Sequence, residues 1–150
     1  MAIGLVGLFI AILLILSSNV LGLLRSSKDN MSVSHVLQQR LEQLRSETWR
    51  QLTNGEHLAA EPLALDMEAS TGLSERVEKF TVSAYPPKAE FIPIQLVRQN
   101  GVTSLISDNA AMVDERMVRV DVSVKWRGFP NHRAHERAAT IIIAQGSSDK

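Results

Sequence analysis

The chain has 150 residues, 45% of them hydrophobic, with 16 basic and 16 acidic side chains and no net charge. Neither sign dominates enough to set up a long-range field, which excludes a strongly basic nucleic-acid binder or a polybasic membrane-surface protein, and the absence of cysteine excludes disulfide scaffolds, zinc ribbons, thiol catalysis and iron–sulfur ligation. The averages hide a division: residues 1–24 hold no Asp, Glu, Lys or Arg, so every charge falls in residues 25–150.

Residues 2–24, AIGLVGLFIAILLILSSNVLGLL, would extend about 35 Å as a helix, enough to cross a hydrocarbon core of about 30 Å. From Leu5 to Leu16 the run is apolar on every face apart from Gly7, whereas a buried helix of a soluble domain usually keeps a polar stripe. A cleavable signal peptide needs a basic start, a shorter apolar stretch and a small-x-small site. Here apolar residues resume after Ser17, Ser18 and Asn19 and continue from Val20 to Leu24. Residues 1–24 are therefore expected to be a transmembrane anchor. Arg25 and Lys28 follow it directly, which on a positive-inside count would leave the rest of the chain in the cytoplasm unless a basic leader precedes Met1.

Residues 25–54 are expected to continue the same helix as an amphipathic segment. Val33, Val36, Leu37, Leu41, Leu44 and Leu52 form an apolar stripe, while Gln39, Arg40, Glu42, Gln43, Arg45 and Glu47 take other faces. Asn54-Gly55 is expected to end the helix, with Gly55 as the left-handed residue of its cap. One continuous helix of about fifty residues, roughly 75 Å, results. Residues 55–76 read as a connector with at most a short turn of helix.

From there the period becomes two, giving a sheet module over residues 77–145. Phe80, Val82 and Ala84 alternate with Thr81, Ser83 and Tyr85 before Pro86-Pro87. A second strand is expected from Phe91 to Arg98, with Pro93 marking an edge or a strand start, and a weaker third from Val102 to Ser107 after the Asn100-Gly101 turn. The clearest strand is 118–126: Val118, Val120, Val122, Val124 and Trp126 point one way, and Arg119, Asp121, Ser123 and Lys125 the other. A polar loop over 127–135 leads to a return strand, 137–144, with Ile141 and Ile143 on one face and Thr140 and Ile142 on the other. Residues 146–150 read as a tail. A helix followed by a run of strands predicts an α+β fold, a long helix covering one face of a small antiparallel sheet. The expected core joins Val33, Leu37, Leu41 and Leu44 to the strand residues Val118, Val120, Val122, Val124, Trp126, Ile141 and Ile143.

The start MAIGLVG with its apolar run, the amphipathic stretch VLQQRLEQLRSETW at 36–49, and the closing pair VRVDVSVKW and RAATIIIA together resemble a type IV pilin-like protein, in the manner of a minor pilin or minor type II secretion pseudopilin. The resemblance covers nearly the whole chain through pattern and hydropathy. It departs from the family at the start, where a basic leader, a glycine and a glutamate four residues after the first hydrophobic position are expected, as though translation had been assigned to an internal methionine. The resemblance implies a non-enzymatic filament subunit, anchored in the bacterial inner membrane with its sheet module extracytoplasmic. The implied partners are the lipid bilayer, other pilin-like subunits and the inner-membrane assembly machinery. Gly4, Leu5, Gly7, Phe9, Leu13, Leu16, Ser17, Ser18, Asn19 and Gly22 would form the membrane and assembly face, the glycines permitting close helix approach and the polar trio bonding between helices or loosening the backbone. The alternative is a single-pass, membrane-anchored interaction domain of the cell envelope that does not polymerise.

Catalytic, cofactor-binding and metal-ligating residues are not expected. His132, His135 and Glu136 fall within five residues, but Arg133 and Arg137 beside them oppose a cation. His35 and His57 read as surface or cap residues. No Gly-x-Ser-x-Gly turn or Gly-rich phosphate loop occurs, and neither nucleic acid nor a small-molecule substrate is expected as a ligand. Trp126 reads as core, as does Trp49, which could alternatively meet a neighbouring subunit.

Overall fold

The computed structural model describes residues 2–63, 73–128 and 133–146, apart from the side chains of 2–6, 8, 11 and 74. The architecture is α+β. A long helix, α1 (Ala2–Ser46), is followed by two short helices, α2 (Trp49–Leu52) and α3 (Gly55–Ala60), and then by five strands: β1 (Ser74–Ala84), β2 (Ile94–Gln99), β3 (Val102–Ser107), β4 (Met117–Gly128) and β5 (Arg133–Ala144). All neighbours are antiparallel, in the spatial order β3-β2-β1-β4-β5. The second half of α1 lies on the inner face of β4 and β5, and α3 on β2 and β3.

Strand parity places the core. Phe80 pairs with Val122 across β1 and β4 and with Leu96 across β1 and β2, so these three share the inner face. They join Val82, Ala84, Ile94, Val118, Val120, Val124, Trp126 and Ile143, all buried. From the helix come Val33, Val36, Leu37 and Leu44, with Leu41 and Ile141 partly buried against the cluster. Burying such side chains is worth about 1.5–3 kcal/mol each, which a sheet with one solvated face needs in order to persist.

The helix ends earlier than expected. α1 stops at Ser46, eight residues before Asn54, because Thr48 turns extended (φ −67°, ψ 159°) and caps a new turn. The Gln51 side chain accepts both the Thr48 backbone N–H at 3.0 Å and its hydroxyl at 2.6 Å, the returning half of a T-x-x-Q capping box. Gly55 opens α3 instead of closing a helix: the Asn54 side chain accepts the His57 N–H at 3.0 Å as its N-cap. The site is crowded: a Cβ there would lie 2.8 Å from Leu105 Cδ1 and 2.9 Å from Asp108 Oδ1, so those side-chain ends would have to move to admit one. A six-residue helix thus occupies the start of the expected connector, and residues 64–72 of that connector lie outside the described residues.

β1 begins at Ser74, inside the expected connector, through an irregular register before Val77, where Glu75 takes φ 49°. Pro93 precedes β2, which lies between β1 and β3, so the proline marks a strand start and not an edge. β3 covers the residues expected of it, and Asn100 (φ 52°) and Gly101 (φ 81°) form the two-residue turn with both central residues left-handed. β4 extends to Gly128 and β5 starts at Arg133, both inside the expected loop of 127–135, and residues 129–132 lie outside the described residues. A 3-10 helix, Ala110–Asp114, joins β3 to β4, and the Tyr85-Pro86 bond is cis. Of the expected tail, 147–150 also lie outside the described residues.

The expected membrane-spanning character of α1 is the other departure. Among the described residues, no helix is long and apolar enough to cross a membrane. An eighteen-residue stretch begun at Ile12 already takes in Arg25, Lys28 and Asp29, and Met1 with the side chains of 2–6, 8 and 11 falls outside the described residues.

Candidate assembly surface

The two halves of α1 meet different surroundings. From Val33 onwards one stripe is buried against the sheet. Before it, Phe9, Leu14, Ile15, Leu16, Leu23 and Leu24 are each 54–72% exposed, about what a helical side chain shows when only its own helix touches it. Among the described residues no second element covers Leu13, Val20 or Leu21 either. A helix apolar on every face has no stable place in water by itself, so this half is a surface in need of a cover.

The expected assembly residues sit on that surface where they are described. Phe9, Leu13 and Leu16 are exposed, and a Cβ at Gly7 would meet open space. The Gly4 and Leu5 side-chain positions lie outside the described residues. Ser17 and Asn19 are exposed and Gly22 half-buried. Ser18 donates its hydroxyl to the Ile15 carbonyl at 2.9 Å, a back-bond within its own turn that satisfies the hydroxyl in an apolar setting and tends to bend a helix.

Where the packed half begins, α1 and β5 enclose an open cleft of about 570 Å³. Ser26, Ser27, Asn30 and Ser34 line it from the helix, between Leu23 at one end and Gln38 at the other, with Arg137 of β5 opposite. Arg137 donates from Nη1 to Ser34 Oγ, and Ser34 donates in turn to the Asn30 carbonyl at 2.9 Å.

The sheet's inner face holds a charge cluster, and in it Arg40, expected on a face other than the apolar stripe, is buried. Arg40 is fully buried: its Nε donates to Glu78 Oε2 at 2.9 Å, and its Nη1 to the Pro62 carbonyl at 2.9 Å and Gln43 Oε1 at 3.0 Å. Its guanidinium also lies 5.9 Å from the centre of the Phe80 ring. Glu78 Oε1 faces Arg76 Nε at 2.9 Å and Arg98 Nη1 at 3.6 Å. Burial pushes the Arg40 pKa below its ordinary value, and the charge and hydrogen bond of Glu78 oppose that shift. Three guanidiniums on one carboxylate fasten α1 to β1, β2 and the turn after α3. The arrangement is a fastening, without a nucleophile or a proton relay.

Periodicity could have found it. Val33, Leu37, Arg40 and Leu44 follow a 4-3-4 spacing, so Arg40 belongs to the buried stripe; Glu78 shares parity with Phe80 and Val82, and Arg98 with Ile94 and Leu96.

The histidines disperse. His132 lies outside the described residues. His135 stacks on Trp126 with ring centroids 5.4 Å apart, while Glu136, pointing to the opposite face, pairs with Lys125 at 3.4 Å. Among the described residues no group of three or more His, Asp or Glu could hold a metal ion. His57 Nε2 meets Glu47 Oε2 at 3.0 Å and clasps α3 to the residue after α1. Trp49 is buried and donates its indole N–H to the Val113 carbonyl at 2.9 Å. No family model, curated protein or solved structure matches this chain.

Proposed function

We propose that this chain is a non-enzymatic, minor structural subunit of a type IV pilus- or pseudopilus-like filament. Before assembly the first half of α1 anchors it in the bacterial inner membrane, with the sheet module outside the cytoplasm. The observation that carries the reading is the division of α1: one half is packed as a core element, and the other is apolar, continuous with it and uncovered. Such a half-helix requires an apolar environment. Lipid supplies one before assembly, and the same half of neighbouring pilin-like subunits supplies it in a filament, exchanging lipid contacts for helix contacts. The anchor rests on residues 1–24 taken as sequence, where no charge occurs. The inner-membrane assembly machinery and other pilin-like subunits are the proposed partners.

The absence of cysteine makes the test direct. Leu13→Cys and Leu16→Cys, both on the uncovered half, are expressed in the native host and oxidised in isolated membranes. The reading predicts cross-linked ladders that include other helix-anchored subunits, and no ladder from Ala138→Cys on the outer sheet face. A membrane-bound chain without ladders would instead support the non-polymerising envelope domain. A chain recovered from the aqueous fraction would contradict both.

A further inference from the structure

The cleft between α1 and β5 begins where the charge-free segment ends. Leu23 is its apolar lip and the next residue, Leu24, is the last before Arg25. If α1 is anchored as proposed above, on which this inference rests, the cleft stands at the level of the lipid headgroups. Its lining is chemically unlike the rest of the helix surface. Ser26, Ser27 and Asn30 recur on one helical face and present hydroxyl and amide donors, beside Ser34, whose own hydroxyl donates to the Asn30 carbonyl, and opposite them Arg137 offers five N–H groups, of which Ser34 accepts one. Formal charge around the cleft is positive. Arg25 and Lys28 outnumber Asp29 along the helix; on β5, Arg133 and Arg137 outnumber Glu136, which is engaged with Lys125.

We propose that this cleft seats the phosphate of an anionic phospholipid headgroup, with Arg137 as the principal cation and the serine-asparagine face as the hydrogen-bonding wall. Arginine suits that role because its planar fork matches phosphate oxygens. A lipid, and not free phosphate, is the occupant because Leu23 and Met31 give the cleft apolar flanks, and Leu23 runs on into the uncovered half of α1, along which an acyl chain can lie.

The test uses the full chain reconstituted into phosphatidylcholine vesicles doped with spin-labelled phosphatidylglycerol or spin-labelled phosphatidylcholine, with the motionally restricted fraction read by electron paramagnetic resonance. The expected result is a relative association constant for phosphatidylglycerol about fivefold above that of phosphatidylcholine, the factor that one basic residue contributes near an anionic surface. Arg137→Gln, at an exposed position, should bring the ratio to about one, while Arg119→Gln on the outer sheet face, paired with Asp121, should leave it unchanged. Circular dichroism confirms that each variant folds. Equal association of the two lipids, a preference that survives Arg137→Gln, or displacement by excess inorganic phosphate would each overturn the proposal. A chain that inserts without lipid preference removes only the headgroup site; a chain that does not enter vesicles at all removes the anchored reading together with it.

Discussion

Arg40 holds a charge that burial opposes, and it is retained because Glu78, Gln43 and the Pro62 carbonyl accept hydrogen bonds from it in the fold. Removing one member of such a cluster strands the others, so Arg40→Ala is expected to lower stability by about 3–5 kcal/mol. Arg45→Ala, one turn on and exposed, should stay within about 0.5 kcal/mol of the parent. Urea unfolding of both variants in the same detergent checks the contrast, and similar midpoints would show that Arg40 is not the fastening described. The charge itself concealed this residue at the level of sequence. An arginine on a helix is ordinarily solvated, and only the 4-3-4 spacing with Val33, Leu37 and Leu44, together with the inward parity of Glu78 and Arg98, reveals that two strands and a helix aim charge at one point. The identity of the partners depended on pairing between segments 38 residues apart, which no local pattern specifies. The valines of β4 needed no such knowledge, because alternation alone orients them.

At the scale of elements, the strands were legible to within a few residues and the helix boundaries were not. Period-two alternation is local, and Asn100-Gly101 defines its hairpin by the backbone conformations that those residues tolerate. The end of α1 depends instead on a competition between continuing the helix and capping a new one, which Thr48 and Gln51 decide in favour of the cap. Gln51→Ala removes the acceptor of the Thr48 N–H and should cost about 0.5–1.5 kcal/mol, seen as a lower thermal midpoint with unchanged strand content. A glycine after asparagine suggests a helix end, whereas here Leu105 and Asp108, from β3 and the residue after it, crowd the space a side chain would take. Gly55→Ala should therefore destabilise by about 1–3 kcal/mol through crowding. Were glycine needed there only as a left-handed cap, Gly55→Asn would rescue it; the crowded geometry predicts that the larger asparagine is worse than alanine.

For the whole molecule, the α+β plan followed from one amphipathic helix and a succession of alternating strands, each of which lacks a face to bury until the other supplies it. The first half of α1 packs against neither helix nor strand among the described residues. Eleven large apolar residues between Phe9 and Leu24 are about half or more exposed, and at roughly 1.5–3 kcal/mol for each side chain fully buried transferring the exposed part from water is of the same order as the stability of a typical small domain. Sequence could indicate that such a surface exists, since residues 1–24 lack charge, but a cover supplied by lipid or by other subunits, as proposed, is not written in one chain. The most direct test of the central claim is the reactivity of single cysteines towards a membrane-impermeant maleimide in spheroplasts. The account predicts that Leu13→Cys is protected until detergent is added while Ala138→Cys is labelled at once; labelling of Leu13→Cys as fast as Ala138→Cys before detergent would contradict it.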